Sequence, residues 1–579
     1  MKIIKKILVY GLVVVAILAI AIIFPIFSYK KETNSNPLPS FYKKGVYHMH
    51  TVFSDGKGTI ADITGAAHSL GLDFVILTDH GRPNRKSAKA TAYLNDVLLI
   101  GASEFSLQAG HLTAAGFKIP GYIFPPEPQE AINEILQDKG VCFIAHPYDD
   151  RIPWTDWKAR GFTGMEVLSC YSSARRISFL KLAIFPLQYL VSSNYSLLST
   201  LDYPRAEMEK WNRLNLEDRG GHYYGIYGLD AHSRLTASGK FELNFPSYGA
   251  MFEILNIYVK VDRELPANAQ QASSIIISAL RQGNFFSVIE AIAPANGFEA
   301  YFEDNSGQRV EMGGSSPLEE GKLVINLPFE FETDIVVKRD GQVYQRIVRN
   351  REKNCEIGIK GPGFYGIEVF VSNNKFNHLP WILSNPFFIG RNKNSFGVLT
   401  GGQFFQKKPL LNEKGFFTVE KNGGSKGTIA YGKTDKDELV TTFMFSLDKD
   451  ESGGKDFWSV LAARKRFDFS GYQGICFEAQ SERKLRFWVE FRTGEVGGKE
   501  TWYRHSFLVK RGWKEFYIPF EKFQAFFGER KKPVLSDIRS IFFSINNANA
   551  YPGTKGRIEL KNICLRRPAF LQKSGAKNS

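Results

Sequence analysis

His48-Met49-His50-Thr51-Val52-Phe53-Ser54-Asp55-Gly56 is the stretch whose reading decides the fold of this chain. Val46 and Tyr47 lead into it as a short apolar strand. Side chains at i and i+2 of a strand point the same way. His48 and His50 therefore offer two imidazoles to one side, and Asp55 arrives on the turn that follows. That is half of a metal site. Two histidines on a half-buried strand need no metal, so the surroundings must decide.

Downstream, residues 59–71 have helical spacing and stop at Gly71. The apolar run 72–77 delivers Thr78-Asp79-His80. Residues 97–101 lead to Ala102-Ser103-Glu104, with His111 shortly after. Residues 141–145 deliver His146, residues 164–168 form another strand-like run around Glu166, and residues 224–229 deliver Asp230-Ala231-His232. Strands alternating with helical stretches predict parallel β/α units. Metal-type side chains recur at their C-terminal ends, where β/α barrels build active sites. Eight of the ten histidines lie between His48 and His232. Of these, His68 sits in mid-helix and reads as a surface or packing residue. His222, on a glycine-rich approach, reads first as structural. Asp79 reads either as a ligand or as a group that orients one, and Glu166 as a supporting or structural residue more than a ligand.

In that order, HMHTVFSDG, LTDH, GASEFS with the later HLTAAG, AHP and GLDAHS resemble the polymerase and histidinol phosphatase (PHP) domain family over residues 47–292. The resemblance implies a distorted β/α barrel, usually of seven strands, holding up to three divalent ions at one mouth. By position, His48, His50, Glu104 and Asp230 match the ligands of one ion and carry the catalytic assignment. Glu104 as a bridging carboxylate would share a second ion with His111 and His146. Asp55, His80 and His232 match a third. All nine positions hold competent ligands. Asp55, where some members have histidine, favours manganese, iron or magnesium over zinc mildly, without selecting one.

Such a ligand set predicts a metal-dependent hydrolase of phosphate esters. Divalent ions make hydroxide available near neutral pH and take up charge on phosphoryl and leaving oxygens, so no Ser or Cys nucleophile is required. The same site can serve an amide or carbamate hydrolase, or an exonuclease. A surface binding protein using the barrel as a scaffold is the non-enzymatic alternative.

A chain of 579 residues with 43% hydrophobic and 23% charged content suggests several globular domains. Residues 1–45 read as a membrane anchor and linker: Lys2, Lys5 and Lys6 precede an uncharged run over 7–29, long enough to span a bilayer, with no small-x-small cleavage site. The expectation is a single-pass signal anchor in the cell membrane with the catalytic body outside the cytoplasm. Residues 46–292 form the barrel. Within it, the insertion 177–201 carries only Lys181 as a charge and is broken by Pro186. It reads as a helix pair packed on the barrel, or as an amphipathic hairpin lying on the bilayer.

Residues 293–392 have the short alternating runs of a small β-sandwich, with a hairpin turn at Asp340-Gly341. Residues 393–570 read as all-β and resemble galactose-binding-like jelly rolls, including carbohydrate-binding modules and the complex I intermediate-associated family. From residue 393 to the end, 34 Lys and Arg stand against 20 Asp and Glu, nearly all of the chain's net +15. Such a surface concentrates anionic partners: wall polymers, lipid headgroups or, less favoured, nucleic acid. Trp488, Trp502 and Trp513 can stack on polysaccharide or fill a core. Five scattered cysteines without C-x-x-C spacing predict neither a disulfide framework nor a zinc knuckle.

Overall fold

Largely apolar runs of three to eleven residues become the strands of the first half: β1 Tyr42–Tyr47, β2 Phe74–Leu77, β3 Ala92–Leu94, β4 Val97–Leu107, β5 Gly110–Ala115, β6 Val141–Ile144, β7 Gly164–Ser169, β8 Tyr224–Gly228, β9 Leu235–Ala237, β10 Phe241–Leu243, β11 Leu255–Lys260 and β12 Phe285–Ile289. This computed structural model describes residues 10, 20, 22–218, 220–237, 241–329, 331–391, 405–449, 456–496, 499–528 and 530–568. The chain divides into two units, Met1–Ile119 with Pro128–Phe396, and Pro120–Glu127 with Gly397–Ser579.

In the first unit the strands follow the order β8-β7-β6-β5-β4-β2-β1-β11-β12. The pairs β1/β2, β2/β4, β6/β7 and β7/β8 are parallel, as expected of β/α units. The pairs β4/β5, β5/β6, β1/β11 and β11/β12 are antiparallel, which the alternation did not predict. The reason at β4/β5 is local: Leu107 pairs with Gly110 across a two-residue loop, too short for a parallel crossover. Beyond the named strands, the N–H groups of Leu229 and Ala231 donate to the carbonyls of Tyr47 and His48, and that of His50 donates to Ala231. Those bonds bring the chain after β8 against the chain after β1.

Helices cover the sheet where the sequence supplies caps. Thr59 and Asp62 form a reciprocal capping box that starts Ile60–Ser69, which buries Ile63 and Ala67. Helix Ala269–Gln282 starts on Asn268, stops on Gly283 at φ 74°, and buries Ile276 and Leu280 in the core formed by Ile76, Ile100 and Ile257.

The small sandwich expected over 293–392 has one sheet of its own, built from Glu299–Asp304, Arg309–Glu311, Glu320–Asn326 and Asn354–Lys360. Its other strands join the first sheet, because Ile382–Ser384 pairs with β12. The hydrogen-bonded sheet therefore runs through the boundary drawn at 292/293. Asp340 and Gly341 take φ 54° and 82°, the turn expected between Thr333–Arg339 and Gln342–Asn350.

Most of the predicted span over 7–29 lies outside the described residues. Residues 22–27 are helical. Among the described residues no helix is long and apolar enough to cross a membrane. The linker expected after it has no regular structure but is bonded along the first unit, Glu32 N–H to the Ile292 carbonyl and Asn34 Nδ2 to that of Asn296. The insertion 177–201 is a helix pair, Phe179–Val191 and Ser193–Leu198, but the break expected at Pro186 falls at Ser192, and Pro186 lies inside the first helix.

The second unit is a sandwich of two six-stranded sheets. Phe477 from one sheet meets Phe507 and Phe543 from the other at 4.9 and 5.2 Å between ring centroids. Along Leu485–Val496, Leu485, Phe487, Val489 and Phe491 fill this core, while the even residues between them lie on the other face. Trp488 nevertheless is fully buried, with the Arg504 guanidinium 4.2 Å above its ring, so it is not open to a sugar. Trp502 carries Arg492 at 3.7 Å, and Trp513 carries Lys561 at 4.8 Å. Residues 120–127 belong to this unit: Ile123 N–H donates to Asn549, and Ser506 donates by its hydroxyl and N–H to buried Glu127. One expectation about cysteines is corrected. Cys476 and Cys564, opposite each other on adjacent strands, form a disulfide. Cys142, Cys170 and Cys355 are free and buried.

Candidate metal centre

The two founding histidines converge, though not by strand alternation. β1 ends at Tyr47, and His48 takes φ 69°, a left-handed backbone that turns its ring onto the side His50 faces. His146 and Asp230 share that conformation, at φ 28° and 51°. Non-glycine residues there carry strain that the surrounding structure must hold.

Glu104 is the centre of the cluster. The β2/β4 pairing extends past β2, where His80 bridges Glu104, so the carboxylate lies within β4 and not after it. One oxygen, Oε2, stands 3.2 Å from His48 Nε2, 3.1 Å from His50 Nε2 and 3.2 Å from His80 Nδ1. The other, Oε1, is 2.9 Å from His111 Nδ1 and 3.0 Å from His146 Nε2. His111 reaches it because antiparallel β5 begins at the end of the sheet where its neighbours stop.

Asp230 Oδ1 lies 3.4 Å from His48 Nε2 and 3.1 Å from His50 Nε2. Asp55 sits at the rim, 3.6 Å from His80 and 3.3 Å from His232. Three overlapping groups have ligand atoms within 4.8 Å of one another: His48, His50, Glu104 and Asp230; His80, Glu104 and His111; and His50, Asp55, His80 and His232. His146 adjoins the second through Glu104. His48, His50 and Glu104 are fully buried, whereas Asp55 and His80 are 43% and 28% exposed, which makes them the solvent-facing edge.

The donor atoms fit cations. His48 Nε2, His50 Nε2, His80 Nδ1, His111 Nδ1, Asp55 Oδ1 and Glu104 Oε2 are buried without a hydrogen-bond partner. Buried polar atoms are almost always satisfied, and these six turn toward common points. Imidazole nitrogens with carboxylate oxygens and no thiolate suit manganese, iron, zinc or magnesium.

The groups polarise one another strongly. Burial alone would raise the Glu104 carboxyl, but His48 and His111 beside it hold it well below the usual range. Burial likewise opposes the ionisation of Asp230, and His48 and His232 hold it well below. His50, despite burial, is pushed up to about 9 by Asp230 and Glu104, and His146 to about 9 by Glu104. Burial carries His80 down to about 4.

Behind the ligands, Glu166 on β7 accepts from His48 Nδ1 with Oε1 and from the His146 N–H with Oε2. A Cβ on Gly228 would stand 2.3 Å from that Oε1, so the glycine makes room for it. Asp79 accepts from Thr51 N–H, Thr51 Oγ1 and Ser54 Oγ, bracing the loop that carries Asp55. Tyr248, which the sequence reading missed, donates its hydroxyl to the His50 carbonyl at 2.6 Å. Nothing in its surroundings in the chain, Ser247 and Gly249, signals that role. His68 is exposed, and His222 stacks on Phe388 at 3.6 Å; neither belongs to the three groups.

No family model matches the chain, and no curated protein does. Among solved structures it is similar to a two-domain protein from Bacteroides vulgatus containing a predicted PHP-like metal-dependent phosphoesterase: 15% identity, 62% of this chain and 98% of that one, TM-score 0.30. It is also similar to the family 11 carbohydrate-binding module of a cellulosomal cellulase from Clostridium thermocellum: 18% identity, 28% of this chain and 95% of that module, TM-score 0.23. At such identities and scores neither likeness says what this chain does.

Proposed function

We propose that this chain is a divalent-metal-dependent phosphoesterase, built on a distorted seven-stranded β/α barrel and held at the outer face of the cell membrane by a single-pass anchor. The observation that carries the reading is Glu104, a buried carboxylate facing five imidazoles, four of which turn a nitrogen without a hydrogen-bond partner toward it. The backbone bonds between residues 229–231 and 47–50 support closure of the barrel. The Cys476–Cys564 disulfide supports an oxidising compartment.

In this reading His48, His50, Glu104 and Asp230 would hold one ion, Glu104 with His111 and His146 a second, and Asp55, His80 and His232 a third at the rim. Bound divalent ions supply Lewis acidity toward a phosphoryl oxygen and acidify water for attack at neutral pH. The chain supplies the rest. Glu166 fixes the His48 ring and the His146 backbone, Asp79 sets the position of Asp55, and Tyr171 packs against His232 at 4.9 Å. The basic C-terminal module, with Arg492 and Arg504 stacked on aromatic rings, is suited to an anionic polymer or polysaccharide near the substrate.

The test uses the full chain in detergent with manganese, iron, zinc or magnesium added singly. An aryl phosphomonoester, an aryl phosphodiester, an aryl amide and a single-stranded oligonucleotide serve as substrates. Metal-dependent phosphate release that disappears in His48→Ala and Glu104→Ala is the expected result. Turnover of the amide alone, or no turnover of any substrate by protein shown to hold metal, overturns the phosphoesterase reading.

A further inference from the structure

Helix Phe179–Val191 displays its apolar side chains where a soluble surface would carry charge. Phe179 and Leu190 are 85% and 83% exposed, and Leu180, Leu182 and Leu187 are each more than half exposed. Only Phe185 and Gln188 are buried. These hold the helix in place, since Ser196 Oγ donates to the Phe185 carbonyl and the Phe185 ring meets Phe245 at 5.8 Å. An exposed apolar patch of this size marks an interaction surface.

The chain itself says what covers it. Gln188 Nε2 donates to the Ile22 carbonyl at 3.1 Å, so the end of the uncharged run 7–29 lies against this helix. Phe24 and Phe27 of that end are also exposed, continuing the apolar surface. The next residues are fixed: Tyr29 donates to the Ala291 carbonyl, and Asn374 donates to that of Lys30. Cations rim the patch, with Lys30, Lys31 and Lys181 on the chain around it and Lys375 bonded to Ser28.

We propose that helix Phe179–Val191, with residues 22–27, is a second membrane contact lying in the interfacial layer of the lipid bilayer. On the membrane-anchor reading proposed above, on which this inference rests, the uncharged run enters the bilayer, and its end at Ile22 is tied to an exposed apolar helix of the same unit. The helix is thereby brought to the depth of the headgroups, where apolar side chains sink and lysines meet anionic lipid. This holds whichever reaction the metal centre performs. It assigns the apolar exposure to a monotopic contact that keeps the enzyme unit seated on the membrane instead of swinging on its anchor.

The experiment uses the full chain in vesicles of phosphatidylcholine with phosphatidylglycerol, carrying Leu190→Cys labelled with an environment-sensitive fluorophore. The described free cysteines are buried, so the new thiol takes the label. Val343→Cys, at another exposed apolar residue, is the reference. The Leu190 label is expected to shift to the blue and to be quenched severalfold more by shallow spin-labelled lipid than the Val343 label. Leu180→Cys gives the same readout if the first variant does not fold. Equal, water-like emission at both positions overturns the proposal. So does shielding at Leu190 that spin-labelled lipid does not quench, which would mean that a second copy or the chain's own apolar run covers the face.

Discussion

Glu166 and His48 share a buried hydrogen bond through the ring nitrogen that faces away from Glu104, so the other nitrogen is aimed at the cluster. The same carboxylate takes the N–H of His146, and thus sets two of the candidate ligands at once. Glu166→Gln keeps the shape but can offer only one acceptor oxygen. Loss of such a partner typically lowers metal affinity about 10–100-fold. Titration with manganese should show that drop, with near-native circular dichroism. Unchanged affinity would reduce Glu166 to a packing residue.

Gly228 tests the same support from the other side. A methyl group there would collide with the Glu166 oxygen that holds His48. Gly228→Ala should therefore mimic or exceed the defect of Glu166→Gln. Adding Glu166→Asp, which withdraws the carboxylate by one methylene, should recover part of the lost affinity. A Gly228→Ala protein that binds metal normally would show that the site relaxes without consequence.

Because both Glu104 oxygens face imidazoles, the carboxylate should couple the whole cluster. Glu104→Gln is expected to strip more than one ion, not a single one, as read by elemental analysis after gel filtration. Loss of only one ion would mean that the three groups of ligands are independent.

How much of this was legible in the sequence depends on where each residue sits. Strand-end candidates such as His80 and Asp230 stand out because a short apolar run delivers them, and side chains at such ends meet across a sheet. The direction of β5 was not legible from periodicity, since alternation reads alike in parallel and antiparallel strands. The two-residue loop before it held the answer. His48 looked like a strand residue, yet its ring reaches the cluster through a positive φ that no local propensity signals. Glu166 lies mid-strand without a motif. Cys476 and Cys564 are separated by 88 residues, so only strand register pairs them. Exposure of Phe179–Val191 was invisible too, because an apolar helix reads the same against protein or lipid.

Acidity should control metal loading. His50 and His146 are both pushed up to about 9 by neighbouring carboxylates, against a free-histidine value of 6.5. At pH 7 the metal-free cluster therefore carries protons on these two rings, and a cation must displace them. The sign follows from linkage. Raised histidines stabilise the metal-free fold fully below pH 6.5, and that contribution is lost as pH rises through about 9. The stabilisation conferred by manganese, read as the shift in thermal midpoint, should grow from pH 6.5 to about 9 and then level off. His80, held down to about 4, should add no slope in this window. A shift that does not vary with pH would mean that the ligands are already deprotonated without metal.

The disulfide offers a test confined to the second unit. Cys476 and Cys564 face each other on neighbouring strands, the second of which also pairs with Leu439–Ser446 and Phe405–Pro409. Closing a loop of 88 residues removes denatured-chain entropy worth about 4.6 kcal/mol in the chain-entropy model. Cys476→Ala with Cys564→Ala should lower the denaturation midpoint of this unit by a corresponding amount. The metal cluster lies entirely in the other unit, so metal content and turnover at temperatures below that midpoint should be unchanged. Loss of metal together with the disulfide would show that the units do not fold independently; an unchanged midpoint would show that the bond does not restrain the unfolded chain.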